Sequence, residues 1–447
     1  MKSHHLGRAT FGVLSLGASL LACSSDDSPS SPPPTPTDPT CTAATQCTFI
    51  AAGSTEKQVQ DRINSTKSGD TIKFGEGTFT FTNQVTLPTN VKNFTVLGAG
   101  RDKTVLDFQG QTVPANDNIS AQYVDKIRFE GFTVKDGRGN GIKVLQGTNV
   151  VFRDIKTYWT STDEASHGAY GLYPVQSKNV LVENCETVGA SDTGIYVGQS
   201  QNIIVRNNKA HGNVAGIEIE NCFTADVHDN EAYDNASGIL IFDLPGLQQQ
   251  GGHDIRVFNN KVHDNNHGNF SPSGLLQIVP AGTGFFVLAN TNVEVFGNTF
   301  EKNGTTQTSI ISYYLVSKDI TDPGYTKPFP VNVYVHDNTY TNGGTSADTS
   351  KDLGLLLSFT NFPNTMDPKR RVPEIIYDGI LPPSTTDQVN PNHICWKNNK
   401  GTVESVNLHF DKFKKDPLPG NLAEILEMNP KIYDCELPPI PEVVLPE

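Results

Sequence analysis

The chain has little positive charge. Its 447 residues include 34 Lys and Arg against 48 Asp and Glu, which gives a net charge of −14 at pH 7. A protein that binds nucleic acid needs clustered basic residues to neutralise phosphates, and no basic stripe occurs in this sequence. The composition therefore argues against nucleic acid as a partner. It argues more weakly against an acidic polysaccharide, because a local patch can override the net charge.

Long apolar runs are also missing. The run from Phe11 to Leu21 is too short to span a membrane, which takes about 20 apolar residues. Lys2 and Arg8 precede this run, and a small residue follows it. This pattern predicts a secretory signal peptide over residues 1–22.

The end of this segment reads Leu-Leu-Ala-Cys and resembles a bacterial lipobox, which would make Cys23 the lipidated first residue of the mature chain. A plain signal peptide cut elsewhere is the alternative. Ser24 after the cysteine favours an outer-membrane lipoprotein, on either the periplasmic or the surface side. Residues 23–48 are rich in Ser, Pro and Thr and are predicted to form a disordered tether.

Motifs for common cofactors and nucleophiles are absent. The sequence contains no haem-attachment motif, no P-loop and no Gly-x-Ser-x-Gly elbow. We therefore assign no cofactor. Calcium bound by the carboxylates of Asp192, Glu220 or Asp243 is the alternative that oxygen ligands leave open.

Six further cysteines suit an oxidising compartment. We expect two local disulfides, Cys41–Cys47 and Cys395–Cys435. Cys185 and Cys222 both follow Glu-Asn, but alignment of the repeats puts them at different positions of their coils. Buried free thiols are therefore favoured over a disulfide between these two.

One phrase recurs between Lys178 and Asn338. A polar residue is followed by alternating apolar residues and then by Asn or Cys, and the copies begin at Asn179, Asn202, Thr224, Asp254, Asn292 and Asn332. The first three copies lie about 22 residues apart, the length of one three-strand coil of a parallel β-helix. The sequence therefore predicts an all-β fold, a right-handed single-stranded parallel β-helix of about ten coils over residues 49–390.

A second strand of each coil begins with Gly. Side chains alternate across a strand, which predicts an inward stack of Ile142, Leu172, Ile195, Ile217, Ile239 and Phe285. The same alternation predicts an outward column of Lys143, Tyr173, Tyr196, Glu218, Leu240 and Phe286.

The remaining repeat positions are interpreted as structural. An asparagine ladder is predicted at Asn208, Asn230, Asn260, Asn298 and Asn338. His211 and His263 are predicted two coils apart with Tyr233 between them, about 10 Å, which is too far to share a zinc ion. A β-helix exposes strand edges at its ends, so we expect a helical cap at residues 55–66 and a C-terminal cap and tail at 391–447.

Three long insertions, at residues 158–170, 243–252 and 265–283, adjoin the Gly-led strands. We expect them to stand as walls beside a groove whose floor offers aromatic rings and carboxylates, a combination suited to a sugar polymer and to acid–base chemistry. The candidate groove residues are Tyr173, Tyr196, Glu218, Glu220, Asp243, His167 and Asp192. The alternative is that these are ordinary exposed strand residues.

The strings Gly-Ala-Tyr-Gly-Leu-Tyr-Pro-Val-Gln from Gly168 and Ser-Asp-Thr-Gly-Ile-Tyr-Val-Gly-Gln from Ser191 are specific. With them, residues 70–345 resemble a family of bacterial right-handed parallel β-helix repeat lipoproteins with the pectin-lyase-like fold. The resemblance implies export and supplies no activity. Members of the family are encoded beside an exported dihaem c-type cytochrome, which implies a protein partner. The Asp-Pro-His-Glu run of alginate C5-epimerases is absent, so no catalytic residue is carried over.

Three functions follow as hypotheses. The first is binding or processing of a polysaccharide, with lyase, hydrolase or epimerase-like chemistry if the protein is an enzyme. The second is a non-catalytic scaffold for an exported partner such as a c-type cytochrome. The third is a structural or adhesive rod.

Overall fold

The computed structural model describes residues 38, 40–112, 117–317, 320–359, 372–382, 385, 389–410 and 426–446. The predicted signal peptide, the lipidation site at Cys23 and most of the tether lie outside these residues. Within the described part, no helix is long and apolar enough to cross a membrane.

The described strands form a 20-stranded sheet, sheet 1, and a 12-stranded sheet, sheet 2. Each regular coil contributes two strands to sheet 1 and one to sheet 2. The first stack of sheet 1 contains Cys47–Ile50, Thr71–Phe74, Lys92–Leu97, Asp125–Lys135, Thr148–Tyr158, Lys178–Glu183, Gln201–Arg206, Phe223–His228, His253–Phe258, Thr291–Phe296, Val331–His336 and Ile394–Lys397. Its second stack contains Gly77–Thr80, Thr104–Asp107, Glu186–Val188, Lys209–His211, Glu231–Tyr233, Lys261–His263, Thr299–Glu301 and Thr339–Thr341.

Sheet 2 holds the Gly-led strands predicted from the sequence. Its members are Val85–Thr86, Ile119–Gln122, Ile142–Leu145, Tyr170–Val175, Thr193–Gly198, Ala215–Glu220, Ser237–Phe242, Thr283–Leu288, Thr306–Ile311, Ile375–Tyr377, Ser405–Asn407 and Glu427–Met428. Neighbouring strands pair in parallel except the last two, which are antiparallel. The parallel β-helix is therefore confirmed, with slightly more coils than the ten expected.

Short helices and turns lie between some of the strands along the chain. The α-helices are Glu56–Asn64 (α1), Tyr313–Val316 (α2) and Asp352–Phe359 (α3), and the 3-10 turns are Ala43–Thr45, Glu164–Ser166, Leu275–Ile278 and Lys431–Tyr433. Helix α1 begins with a capping box between Thr55 and Gln58 and buries Val59 and Ile63. The predicted N-terminal cap is confirmed.

The inward stack of sheet 2 forms the core between the sheets. Consecutive strands place Ile195, Ile217 and Ile239 in register, and each of these side chains is fully buried. The prediction of this stack from the Gly-led pattern is confirmed along its whole length, including Ile142, Leu172 and Phe285.

Asparagine ladders close two corners of the coil. In the predicted ladder, Asn208 Nδ2 donates to Asn230 Oδ1 at 2.9 Å and to the backbone oxygen of Val182 at 3.0 Å. The same pattern continues through Asn260 and Asn298 to Asn338. A second ladder of Asn213, Asn235, Asn265 and Asn303 was not predicted. Both ladders satisfy backbone groups that the bends would otherwise leave unpaired.

Both predicted disulfides, Cys41–Cys47 and Cys395–Cys435, are present. The expected end of the tether at residue 48 is wrong, because Cys47–Ile50 already pairs with Thr71–Phe74. Ordered structure therefore begins before the predicted start of the β-helix.

Cys185 and Cys222 are buried free thiols, as predicted. Burial raises the pKa of Cys185 to about 12, and it raises the pKa of Cys222 as well. Thiolates are the reactive species. We therefore expect iodoacetamide to alkylate neither cysteine in the native protein and both cysteines after denaturation. Peptide mass spectrometry measures the alkylation. Alkylation in the native state would contradict the burial.

The C-terminal segment differs from the cap that was expected. Ile394–Lys397 and Ser405–Asn407 continue sheets 1 and 2, so the β-helix extends beyond the predicted boundary at residue 390. The strand Glu427–Met428 then closes the exposed edge of sheet 2. Among the described residues, this strand and the turn Lys431–Tyr433 act as an end cap.

The last residues, 436–446, form a strap along the outer face of sheet 1. The strap starts at the Cys395–Cys435 disulfide and follows one outward column of the first stack. That column is, in ladder order, Cys395, Tyr334, Glu294, Arg256, Asp226, Ile204, Leu181 and Val151.

Backbone groups of the strap bind carboxylates of this column. Ile440 N donates to Glu294 Oε2 at 3.0 Å, and Val443 N donates to Asp226 Oδ2 at 3.1 Å. An extended chain of this length spans about 34 Å at about 3.1 Å per residue, which matches seven coil spacings of about 4.8 Å. The tail therefore binds the side of the rod instead of covering its end, because the carboxylates that accept its amide protons lie on the side.

Candidate functional site

The predicted outward column of sheet 2 is confirmed by the strand register. Tyr196 is paired with Glu218, and Glu218 with Leu240. The complete column is Lys143, Tyr173, Tyr196, Glu218, Leu240 and Phe286.

The expectation that this column forms the floor of an open groove is wrong for its central part. Tyr196 is 5% exposed, Glu218 is 3% exposed and Leu240 is fully buried. The insertion at residues 265–283 lies across the column, where Leu276 joins the same apolar cluster as Leu240. The physical reason is that the apolar end of the column needs cover, and the insertion supplies it.

His167 does not join the candidate site by any contact that the structure shows. Its ring stacks on Trp159, and its two nitrogens lie 2.6 Å and 3.0 Å from the backbone oxygens of Gly189 and Ser161. Among the described residues, these contacts use both ring nitrogens. The structure therefore places His167 in the packing of its own insertion.

The cluster of Asp192, Glu218 and Glu220 on sheet 2 is called here the acidic cluster. Asp192 precedes one Gly-led strand, and the two glutamates lie on the next strand. Thr193 Oγ1 lies 3.0 Å from Asp192 Oδ1 and 2.7 Å from Glu218 Oε2. These two carboxyl oxygens are therefore no more than about 6 Å apart, since that is the length of two hydrogen bonds end to end.

A single hydroxyl has one proton to donate. Thr193 can therefore make one full hydrogen bond, to Asp192 or to Glu218, or divide a weaker three-centre bond between them. A second full hydrogen bond requires that one of the two carboxyl groups be protonated and donate to Thr193. The geometry thus favours an acidic cluster that retains a proton, in which one carboxyl group acts as an acid beside an ionised one.

The pKa values agree with that arrangement. Burial raises the pKa of Glu218 well above its ordinary value, and the charges of Glu220 and Asp192 raise it further. Burial also raises the pKa of Asp192 to about 7, with the charge of Glu220 adding to the effect. The pKa of Glu220 rises to about 7 through burial, despite a hydrogen bond that opposes the rise.

Three tyrosines surround the acidic cluster. The ring centroid of Tyr170 lies 4.6 Å from that of Tyr173 and 4.5 Å from that of Tyr196. Tyr196 OH donates to Glu220 Oε1 at 2.6 Å. The ring of Tyr196 covers Gly198, where an added Cβ would lie 2.3 Å from the tyrosine oxygen. A side chain at Gly198 would therefore break this hydrogen bond.

Sequence reasoning missed Tyr170, Thr193 and Gly198. A signal for all three exists, because each lies in a Gly-led strand that also carries a named candidate. Tyr170 and Thr193 precede the strand glycines and occupy the same register position. Tyr170 is the last residue of the predicted insertion at 158–170, and the predicted outward column does not include the position before the strand glycine.

Asp243 lies one coil beyond Glu220, because Glu220 is paired with Phe242 in the ladder. Its side chain is fully buried, and its Oδ1 accepts a hydrogen bond from Gly252 N at 2.8 Å. Burial raises its pKa to about 6. The charge of Asp243 in turn contributes to the raised pKa of Glu220.

Metal ligation has little support in the described residues, where no group of three or more His, Cys, Asp or Glu is placed to hold a metal ion. His211, Tyr233 and His263 stack as a column of rings, as the repeat predicted. His263 and His267 have the i, i+4 spacing of some metal sites, but they lie on a strand and a loop. Their Nε2 atoms contact different carboxylates.

These features define a parallel β-helix with a carboxyl–tyrosine cluster on its outer face. The model of the right-handed β-helix region family matches residues 82–244 and 166–320, which together make up more than half of the chain. The chain therefore belongs to this family, in agreement with the fold inferred from the repeats.

Three proteins of known structure that have similar coils carry names describing activity on polysaccharides. The A-module of a mannuronan C-5 epimerase from Azotobacter vinelandii is 14% identical, with 77% of this chain and 90% of that one covered and a TM-score of 0.46. A polygalacturonase from Erwinia carotovora is 11% identical, with 66% and 92% covered and a TM-score of 0.47. An alginate lyase from a Paenibacillus species is 15% identical, with 67% and 94% covered and a TM-score of 0.38.

Identities and TM-scores this low carry no conclusion about the activity of this chain. No curated protein sequence matches it significantly. The functional argument therefore rests on the residues of the site.

Proposed function

We propose that this chain binds a polysaccharide at the acidic cluster and transfers protons to or from it. The observation that carries the proposal is the Thr193 hydroxyl shared by two buried carboxyl groups beside three tyrosine rings. Burying carboxyl groups without a cationic partner costs free energy. Such a cost is concentrated at functional sites, where it sets the pKa values that acid–base chemistry needs.

The roles within the cluster follow from the environments. The raised pKa of Glu218 favours its protonated form, and Glu218 acts as the acid. Glu220, with a pKa of about 7, is the more accessible carboxyl group and acts as the base. Tyr196 remains a neutral hydrogen-bond donor that orients Glu220, because burial and the charge of Glu220 raise its pKa. Tyr170 and Tyr173 offer ring faces to a sugar.

Activity should depend on the ionisation of Glu220. We expect turnover of a responsive polysaccharide to rise with pH through about 7, because a base must be ionised to accept a proton. Glu220→Gln should lower kcat by about 100-fold or more. Neutral and acidic polysaccharides would be screened for released reducing ends and for unsaturated products, across the pH range and with both variants of the cluster, Glu218→Gln and Glu220→Gln.

The matched control is Glu231→Gln on the second stack of sheet 1. Glu231 is a half-buried carboxylate that pairs with Lys261 and His263, away from the acidic cluster. Its replacement should leave turnover and the pH profile unchanged. If no glycan is bound or changed, or if Glu231→Gln and Glu220→Gln behave alike, the proposal is wrong.

Export with a lipid anchor at Cys23 belongs to the same proposal. The two disulfides support an oxidising compartment. Metabolic labelling with a palmitate analogue tests the anchor, and a Cys23→Ser variant should lose the label.

A second candidate function is docking of an exported protein such as a c-type cytochrome. A cavity of about 180 Å³ beside the acidic cluster favours it, because apolar residues from the insertion at 265–283 and from α2 and α3 line this cavity. Ile278 at its rim is 46% exposed. A stoichiometric partner in pull-downs that is lost on Ile278→Asp would support docking, and an unchanged pull-down would exclude that surface.

A further inference from the structure

Asp243 interrupts a row of amides at the end of the Gly-led strands. The preceding members are Gln176, Gln199 and Asn221, all with backbones in the left-handed region. The side chain of Asn221 is fully used, since its Nδ2 donates to Leu244 O and Gln249 O and its Oδ1 accepts from Leu244 N. The fourth position carries a carboxyl group instead of an amide.

This carboxyl group is only half satisfied. Asp243 is fully buried, and its Oδ1 binds Gly252 N, but its Oδ2 has no hydrogen-bond partner in the described part of the chain. Burial raises the pKa of Asp243 against backbone hydrogen bonds from Gly252 and Gly251. Lys327 and His253 oppose the rise to a smaller extent. Neither of them forms an ion pair with it among the described residues. A buried oxygen of this kind calls for a donor from outside the chain.

Asp243 lines a cavity of about 230 Å³ between the insertion at 243–252 and residues 324–327. Aromatic rings form part of the wall. The rings of Phe223 and His253 are tilted by 34° with centroids 4.3 Å apart, and the hydroxyl of Tyr325 donates to the backbone oxygen of Asp243 at 2.7 Å. The exposed Lys327 lies at the rim.

We infer that this cavity is a subsite for one sugar ring, with Asp243 Oδ2 as the acceptor for a ring hydroxyl. A carboxylate acceptor, a cationic donor at the rim and ring faces in one small polar cavity suit a neutral hydroxylated ring better than an ion. The positive charge of Lys327 opposes a cationic ligand, and the carboxylate opposes an anionic one.

The subsite rests on the proposed function and deepens it. Asp243 follows Phe242, which is paired with Glu220 of the acidic cluster, so the cavity lies one coil further along the rod. Adjacent coils are about 4.8 Å apart, close to the size of one sugar ring. A polysaccharide lying along the rod would therefore place consecutive units at the acidic cluster and in the cavity.

Asp243→Asn tests the subsite with little change in shape. The variant keeps the acceptor for Gly252 N and replaces Oδ2 by a donor. We expect the affinity of the full-length protein for oligosaccharides, measured by calorimetry with cello-, chito- and galacturonan series from dimer to hexamer, to fall about 10- to 50-fold. The loss should appear as a higher KM, and it should vanish for chains too short to reach the cavity. The pH profile of kcat should move to lower pH, because Asp243 no longer raises the pKa of Glu220.

Asp226→Asn is the matched control. Asp226 is also a buried carboxylate with one oxygen lacking a partner, but it lies under the strap on sheet 1. Its replacement should leave saccharide affinity unchanged. An equal affinity of Asp243→Asn and the wild type would overturn the subsite, and so would an equal loss in the Asp226 variant.

The two proposals fail in different ways. If Glu220→Gln abolishes turnover while Asp243→Asn binds normally, the acidic cluster acts on glycans and the subsite is wrong. If oligosaccharides bind with a dependence on Asp243 but no variant of the cluster changes any product, the subsite stands and catalysis is wrong. If no oligosaccharide binds the wild-type protein, both are wrong, and a water molecule is the expected partner of Asp243 Oδ2.

Discussion

Replacing Glu218 with glutamine is expected to stabilise the protein at pH 7 and to have almost no effect near pH 4. Burial raises the pKa of this carboxyl group above its ordinary value, so the folded chain holds a proton that the unfolded chain releases. Folding at neutral pH must therefore take up a proton. The cost is absent below the unfolded pKa and grows as the pH rises toward the folded pKa.

Glu183→Gln provides the comparison with the opposite sign. Burial disfavours ionisation of Glu183, but hydrogen bonds from Arg206 and Arg153 outweigh this and lower its pKa. The ionised carboxylate therefore stabilises the folded state above the unfolded pKa, and that contribution is lost as the pH falls through the folded pKa. Glu183→Gln should destabilise at pH 7, and the loss should shrink toward pH 4.

Urea unfolding at several pH values measures both effects. The two variants carry the same substitution on the same rod, so general effects of glutamine cancel in the comparison. Two curves of the same sign would show that Glu218 is ionised in the folded protein. That result would also remove its assignment as the acid.

The second large effect is expected in the asparagine ladder. Asn230→Ala should destabilise by about 3–5 kcal/mol, because it removes the partners of several buried groups at once. Asn208 loses an acceptor for its backbone N and for its Nδ2, and Val205 O and Asn260 Oδ1 lose a donor. Each unsatisfied buried group costs about 1–3 kcal/mol, partly offset where the coil relaxes.

Asn64→Ala at the exposed end of α1 is the control for this substitution. Asn64 lies at the surface and contacts the side chain of Gln60. Its replacement should change stability by less than about 0.5 kcal/mol. If Asn230→Ala lowered the free energy of unfolding no more than Asn64→Ala, water would have to form hydrogen bonds with the polar groups of the bend as well as the ladder does.

The coils could be predicted from sequence because their pattern is local. Alternation along a strand fixed the inward position of Ile217, and the repeated Asn fixed the corner at Asn230. The second ladder carried an equally clear signal, since Asn213 and Asn235 each follow the last residue of a short strand by two positions. It was missed because the strand was aligned only at His211, Tyr233 and His263, and the residues after these were not compared.

The covering segments could not be placed, because long-range contacts decide where they lie. The insertion at 265–283 covers Leu240 through Leu276, a contact that no spacing predicts. One sequence feature indicates where the strap binds. The end of the strap lies beside the outward-facing Leu181 in an unbroken apolar run, Val-Leu-Val, where an exposed strand would alternate. Such a run indicates that both faces are covered.

The same limit applies to the site. The positions of Tyr196 and Glu218 followed from alternation, but their near-complete burial did not. The sharing of Thr193 between two carboxyl groups depends on side-chain rotamers at a corner. Sequence alone therefore identified the residues of the acidic cluster, and the structure supplied the reason for their raised pKa values.

The strap changes how such a rod comes apart. Stacked coils touch only their neighbours, so a solenoid can fray from its ends one coil at a time. Here a disulfide at Cys435 and backbone hydrogen bonds to Glu294 and Asp226 join the last coils to the middle of the rod. The terminal coil cannot peel away without stripping the strap from several coils at once. The strap therefore makes the thermal unfolding of the C-terminal coils a single concerted event.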